Sequence, residues 1–127
     1  METAMENLDD IFRQLKELLL VYRPPFVSKT DNERSLDLWS IKEVVIEGRK
    51  RKEVYFAALI IQKSYVGFYY MPVYAGPEVK RFFKPELLSR LKGKSCFHIH
   101  KLDETLLEQI KDALAMGFKQ YQDRGWV

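Results

Sequence analysis

Apolar residues near both ends of the chain recur at three- and four-residue spacing, which is the pattern of a helix with one buried face. The first pattern predicts a helix over residues 7–22. The second predicts a helix over residues 104–124, with Asp103 as its N-cap and Gly125 after its end. Each helix therefore needs an apolar surface to pack against. The apolar positions are Leu8, Ile11, Phe12, Leu15, Leu18, Leu19 and Tyr22 in the first helix, and Leu107, Ile110, Leu114, Phe118 and Tyr121 in the second.

The sequence between these helices favours β-strands, because its apolar stretches are short and rich in β-branched and aromatic residues. The charged stretch "EGRKRKE" and the pair "KS" predict turns, so neighbouring strands should run antiparallel. "GPEVKRFFKPELLSRLKG" predicts one or two short helical turns before the last strand. The predicted strands are "LDLWSIKEVVI", "VYFAALIIQ", "YVGFYYM" and "SCFHI".

Two helices that bracket an antiparallel sheet predict an α+β fold. The expected architecture is a two-layer sandwich, in which a sheet of about five strands carries both helices on one face. Residues 1–127 form one expected domain, long enough for a hydrophobic core without disulfides or metal. The other face of the sheet is then free to bind something, and both a monomer and a homodimer stay open.

The composition adds expectations about location. A single cysteine cannot form an internal disulfide, and "METAMENLDD" at the N-terminus is acidic and unlike a secretory signal. The longest apolar run, "VYFAALII", is too short for a membrane-spanning helix, so no membrane partner is expected. A net charge of +3 permits anionic partners without requiring them. We expect a soluble cytoplasmic protein.

Three stretches carry a resemblance to a known family, namely "SYVGFYYMPVY", "PELLSRLKGKSCFHIHKLDE" and "GFKQYQDRGWV". In these stretches and in the order of its elements, the chain resembles the YdhG-like family of small domains, which is similar to frataxin in fold. The resemblance implies weakly bound iron, a role in iron delivery, and partners among iron–sulfur or haem assembly proteins. It supplies no catalytic motif, so an enzyme is not expected.

The iron binding implied by this resemblance would use an acidic ridge on the first helix. Glu6, Asp9, Asp10 and Glu17 lie opposite its apolar stripe, and carboxylates suit iron ions. Arg13 lies four residues from both Asp9 and Glu17, which predicts ordinary ion pairs on a solvated helix face instead. Both interpretations stay open.

The stretch "KSCFHIH" contains the only cysteine and both histidines of the chain. In a strand, Cys96, His98 and His100 share one side, while Phe97 and Ile99 share the other. Thiolate and imidazole are metal ligands, and a cysteine–histidine pair is a known type of nucleophile, but the further ligands or orienting groups are missing from the sequence. We expect Phe97 and Ile99 to face the helices, and His100 to be the most exposed of the three polar residues.

Cys96 and His98 should then lie beside the aromatic residues of "YVGFYYM". We expect Tyr65 and Tyr69 to share their face of the sheet, which makes these four residues the candidate ligand-contacting surface. A packing role for the same side chains is the alternative, because tyrosine often covers a core with its ring while its hydroxyl stays in water.

A nucleic-acid partner is disfavoured by the sequence. "GRKRK" places Arg49, Lys50, Arg51 and Lys52 in a row, but charges at a hairpin tip are ordinarily solvated and no recognised binding motif accompanies them. Two main functions remain, an iron-binding or iron-delivering accessory protein and a ligand- or protein-binding module that uses the free face of the sheet. A Cys/His enzyme is the third.

Overall fold

The computed structural model describes residues 7–75, 81 and 83–127. The predicted iron ligand Glu6 lies outside the described residues, and so do residues 76–80 and 82 of the predicted helical turns. The helices are α1 (Leu8–Leu20), α2 (Met71–Ala75), α3 (Pro85–Leu88) and α4 (Glu104–Asp123). The strands are β1 (Ser35–Ser40), β2 (Val44–Ile46), β3 (Arg49–Arg51), β4 (Val54–Ile61), β5 (Val66–Tyr70), β6 (Leu91–Lys92) and β7 (Cys96–Ile99).

The two long helices confirm the predicted positions and faces. The side chain of Asn7 accepts a hydrogen bond from the amide of Asp10 at 3.1 Å and caps α1. Asp103 caps α4, accepting from the amide of Leu106 at 2.8 Å. No helix in the described ranges has both the length and the apolar character that a membrane span requires. The fully buried positions of the two helices include Leu15, Leu19, Ile110 and Leu114.

The main sheet has five antiparallel strands in the order β1–β4–β5–β7–β6, so β5 lies at its centre. Both α1 and α4 pack against one face of this sheet, because alternate strand residues on that face are apolar. The predicted α+β sandwich is confirmed. The fully buried strand residues beneath the helices are Leu36, Leu38, Phe56, Ala57, Leu59, Val66, Phe68, Tyr70, Phe97 and Ile99.

A β-bulge decides which aromatic residues of β1 and β4 are buried. Leu38 pairs with Ala57 but Trp39 pairs with Tyr55, so Phe56 is the extra residue on β4. Phe56 and Ala57 are both fully buried. Tyr55 and Trp39 consequently lie on the face of the sheet that is opposite the helices.

Helix α4 approaches β5 closely at a glycine. A Cβ added at Gly117 would lie 2.5 Å from the Tyr70 hydroxyl oxygen and 2.7 Å from Cγ of Pro72. The Tyr70 hydroxyl donates a hydrogen bond to the carbonyl oxygen of Ala113, and burial raises the pKa of Tyr70 far above its ordinary value. Helix α4 can therefore approach Tyr70 this closely only because residue 117 is a glycine.

The charged stretch that predicts a turn contains a strand. The predicted strand "LDLWSIKEVVI" is divided into β1 and β2, and β2 pairs with β3 in a separate hairpin. Its turn consists of Glu47 and Gly48, with φ of 51° and 80°, as a two-residue type I′ turn requires. The predicted glycine-containing turn is therefore present at Glu47 and Gly48, but the charged residues after it, Arg49–Arg51, form an exposed strand that keeps its charges in water.

Candidate functional site

The candidate site lies on the sheet face opposite α1 and α4. Residues of this face alternate with buried ones, and the register pairs Tyr69 with Cys96 and Gly67 with His98. The ring-bearing residues of this face are partly exposed, whereas their strand neighbours are buried. We call this surface the open face, and its members are Trp39, Tyr55, Tyr65, Gly67, Tyr69, Cys96 and His98.

The predicted alternation within "KSCFHIH" is confirmed. Phe97 and Ile99 are fully buried beneath the helices, while Cys96 and His98 are partly exposed on the open face. His100 follows the end of β7 and is exposed, as predicted. The strand therefore brings the thiol and one imidazole next to the predicted tyrosines.

Three rings form a cluster at one edge of the open face. The Tyr65 and His98 rings are stacked, with their centroids 3.9 Å apart and their planes 10° from parallel. The His100 ring centroid lies 5.6 Å from that of Tyr65, and its Nδ1 is 3.1 Å from the carbonyl oxygen of Ser64. Stacking of this kind leaves the outer face of a ring available for a further flat group.

Tyr69 lies over a glycine in the middle of the sheet. A Cβ built on Gly67 would be 3.0 Å from Cε2 of Tyr69 and 3.3 Å from its hydroxyl oxygen, so the far half of the ring covers Gly67. Nε2 of Gln62 donates a hydrogen bond to the Tyr69 hydroxyl at 3.2 Å. The tyrosine ring is thus held in place along the strand, because glycine permits this close approach.

The titratable groups at the centre of the open face are held in their neutral forms at neutral pH. Burial raises the pKa of the Cys96 thiol, and a hydrogen bond from Tyr69 offsets part of that rise. Burial, with smaller contributions from His100 and Lys92, lowers the pKa of His98. Burial also raises the pKa of Tyr69. A thiol with a raised pKa is a weak nucleophile, so this geometry suits non-covalent contact.

A second aromatic pair lies on the β1 side of the open face. The rings of Trp39 and Tyr55 are stacked with centroids 4.7 Å apart, and Nζ of Lys29 lies 4.0 Å from the centroid of the Trp39 ring. Lys29 also forms an ion pair with Glu53. Burial is the main cause that raises the pKa of Tyr55 to about 12, and the nearby carboxylate of Asp37 adds to it.

A cavity of about 590 Å³ adjoins this second pair at the end of the sheet near the β2–β3 hairpin. Trp39 and Tyr55 form part of its wall, together with Val45, Arg51 and Trp126. Both glutamates and arginines line it, so the cavity has no dominant charge. It lies between the hairpin, the C-terminal end of α4 and the Trp39–Tyr55 pair.

Four basic residues lie at one end and along one edge of the main sheet. Arg34 precedes β1, Lys63 lies in the turn after β4, and Lys101 follows β7. Because the strands are antiparallel, their register places these three residues at the same end of the sheet. Lys92 lies on β6, paired with Cys96, and is near enough to His98 to lower its pKa. We call these four residues the basic rim.

The residues of the predicted acidic ridge do not join the open face. Asp9 and Glu17 are exposed on α1, and Asp10 forms an ion pair with Arg13 three residues on, in place of the predicted pairs at four-residue spacing. In residues 7–75, 81 and 83–127, no group of three or more His, Cys, Asp or Glu side chains is placed to hold a metal ion. Iron binding stays a prediction.

The sequence predicts part of the open face and not its borders. Strand alternation places Cys96 with His98 and groups Tyr65, Gly67 and Tyr69 on one side of their strand, whereas it does not predict that Trp39 and the basic rim adjoin them. The alternation of Leu36, Leu38 and Ser40 on the buried side of β1 was the available signal that Trp39 faces outward. No local signal could place Lys92, because its position depends on pairing with β7.

The chain was compared with protein-family models, curated proteins and solved structures, and none of them matches it. The resemblance to the YdhG-like family and to frataxin accordingly stays a prediction from the sequence.

Proposed function

We propose that the protein is a non-catalytic binding module that holds a flat aromatic group of its ligand on the open face. The observation that carries the proposal is the set of partly exposed rings of Tyr65, Tyr69 and His98, which lie on or next to the adjacent strands β5 and β7. Flat rings recognise other flat rings by stacking, and a partly exposed aromatic surface is typical of an interaction site.

The size of the aromatic surface fits one or two flat ring systems. Neighbouring strands lie about 4.8 Å apart, so rings carried by β4, β5 and β7 extend over about 10 Å. Tyr55 on β4 and His98 on β7 lie on the two sides of this width, and the register separates them along the strands as well. Lys29, above Trp39, adds a cation on the β1 side.

The fixed position of Tyr69 supports a binding role over simple cover for the sheet. A glycine inside a strand weakens the strand, yet Gly67 occupies the central strand directly beneath the Tyr69 ring. Gln62 orients the hydroxyl of the same ring. A contact surface that is ordered before its ligand arrives loses less conformational entropy on binding.

Saturation-transfer NMR with a library of small indoles, purines and phenols tests the proposal. We expect compounds from this library to bind the wild-type protein and to lose binding in the double variant Tyr65→Ala/Tyr69→Ala. Val45→Ser is the matched control, because Val45 is 62% exposed and lines the neighbouring cavity without contributing a ring. Loss of binding in the control alone would place the ligand in the cavity and overturn the proposal.

A further inference from the structure

We infer that the ligand is single-stranded nucleic acid, whose bases stack on the open face while its phosphates follow the basic rim. The inference rests on the proposed function, since it names the flat group as a nucleobase. It combines the ring cluster of Tyr65, His98 and His100 with the basic rim, three of whose cations lie at the same end of the sheet as the cluster, while Lys92 lies beside Cys96 on the edge strand β6.

The basic rim supplies the charge that a polyanion requires. The side chain of Arg34 donates to the carbonyl oxygen of Ile61 at 3.5 Å, which keeps its guanidinium beside the end of β4. Lys63 and Lys101 are exposed, and in the sequence they lie two residues before Tyr65 and directly after His100. Among the acidic residues at this end, Glu33 adjoins Arg34, while the carboxylate of Asp31 is already paired with Lys16 and Arg23.

The rings supply sequence-tolerant contacts to bases. Every base has a flat face, so tyrosine and histidine rings stack on any of them, and open sheets that present two or three rings bind single strands in this way. Lys63 is two residues before Tyr65, and Lys92 pairs with Cys96, which is the partner of Tyr69 on the next strand. A duplex hides its base faces, so the same surface should discriminate against double strands.

This surface differs from the basic segment that the sequence drew attention to. Arg49, Lys50 and Arg51 lie on the β2–β3 hairpin, whereas the cations of the basic rim lie at the ends of β4 and β7 and on β6. The sequence disfavours a nucleic-acid partner because charges at a hairpin tip are ordinarily solvated and no recognised binding motif accompanies them. The rim cations are far apart in the sequence, and only the strand order brings them to the border of one aromatic surface.

Fluorescence anisotropy with a labelled oligothymidylate tests the inference. A length of about eight nucleotides lies within the usual site size of such surfaces. We expect Tyr65→Ala and Tyr69→Ala each to weaken binding by about 5- to 150-fold, the range for loss of one stacked base. Tyr65→Phe and Tyr69→Phe keep the ring and should retain binding within about threefold. Circular dichroism on each variant confirms that it is folded.

Salt dependence tests the part assigned to the rim. If three or four phosphates are neutralised, the logarithm of the association constant should fall with the logarithm of the salt concentration at a slope between about −2 and −3. The double variant Lys63→Ala/Lys92→Ala should reduce the magnitude of this slope by about 1.4. The control Lys111→Ala/Lys119→Ala removes the same charge from exposed positions of α4 and should leave the slope closer to that of the wild-type protein.

Three results would overturn the inference: no binding of the single strand at low salt, equal binding of a duplex of the same length, or binding that is insensitive to both tyrosine-to-alanine variants. If library compounds stack on the open face but the oligonucleotide does not bind, the nucleic-acid inference fails and the proposed function stands. If the oligonucleotide binds but neither tyrosine nor rim variants change its affinity, the open face is not its site and the nucleic-acid inference fails, whereas the proposed function fails only if the library compounds also bind the Tyr65→Ala/Tyr69→Ala variant unchanged.

Discussion

Asp31 links α1 and the residues just after it to the segment leading into β1. Its carboxylate accepts from Nζ of Lys16 at 2.6 Å and from the guanidinium of Arg23 at 2.9 Å, and the side chains concerned are between 23% and 35% exposed. The hydrogen bonds from Lys16 and then Arg23 hold the pKa of Asp31 below its usual value of 3.8.

A lowered carboxyl pKa makes the free energy of unfolding depend on pH. Above pH 3.8 the carboxylate of Asp31 is ionised in both the folded and the unfolded state, and its stabilisation of the folded state is complete. Below pH 3.8 the unfolded chain binds a proton first. The stabilisation is then lost as the pH falls through the lower pKa of the folded state. Asp31→Asn should therefore cost about 1 kcal/mol at pH 7, as expected for two solvent-screened ion pairs, and less at pH 3.

Urea denaturation at both pH values measures this difference. The matched control is Asp123→Asn, because the Lys119–Asp123 pair lies at 3.1 Å between side chains that are 74% and 64% exposed. Its loss should change the free energy of unfolding by less than about 0.5 kcal/mol. Equal effects of the two substitutions, or an Asp31→Asn effect that is the same at pH 3 and pH 7, would contradict the assigned role of Asp31.

At the scale of residues, the sequence predicts which side chains are buried wherever alternation within one continuous strand determines their face. Phe97 and Ile99 separate from Cys96 and His98 in a continuous strand, so their faces were predictable. Tyr55 and Phe56 show the limit, because an extra residue in β4 turns Phe56 to the core and Tyr55 to the open face. The bulge arises from pairing with β1, and the sequence of β4 alone contains no signal for it.

At the scale of elements, Gly117 determines how α4 packs on the sheet. The Tyr70 hydroxyl and Pro72 leave no room for a Cβ at this position. Gly117→Ala should destabilise the protein by about 1–3 kcal/mol through overpacking, although alanine is favoured over glycine in helices by about 1 kcal/mol. Thermal and urea denaturation measure the change.

A control in the same helix separates packing from helix propensity. Ala115 is exposed on α4, so Ala115→Gly should cost about 1 kcal/mol through propensity alone. Stabilisation by Gly117→Ala would show that α4 lies farther from Tyr70 than the structure places it.

The existence of the long helices was predictable because each has a strong helical period and a cap, as Asp103 shows for α4. The β2–β3 hairpin was less predictable from the sequence. Its strand Arg49–Arg51 has no apolar side to reveal a period of two, and the two-residue turn at Glu47 and Gly48 lacks the usual Asn-Gly or Asp-Gly sequence. Element type is thus predictable where burial imposes a pattern, and uncertain where both faces of a strand stay in water.

At the scale of the whole molecule, the chain divides its aromatic residues between two surfaces. One set, including Phe26, Phe56 and Tyr121, packs beneath the helices, where Phe26 and Phe56 stack at a centroid distance of 4.4 Å. The other set covers the open face and ends beside the basic rim. The fold class was predictable from the order of elements along the chain. The positions of the rings and the basic rim relative to each other were not, because they depend on the order of the strands in the sheet.

The most direct test of binding on the open face is a ¹H–¹⁵N correlation NMR titration of the whole protein with short oligothymidylate. Binding there predicts that the largest shift changes occur at the amides of Gly67, Tyr69, Cys96 and His98, with smaller ones at Lys63 and Lys92. Changes confined to the exposed faces of α1 and α4 or to the β2–β3 hairpin, or no change at low salt, would contradict it.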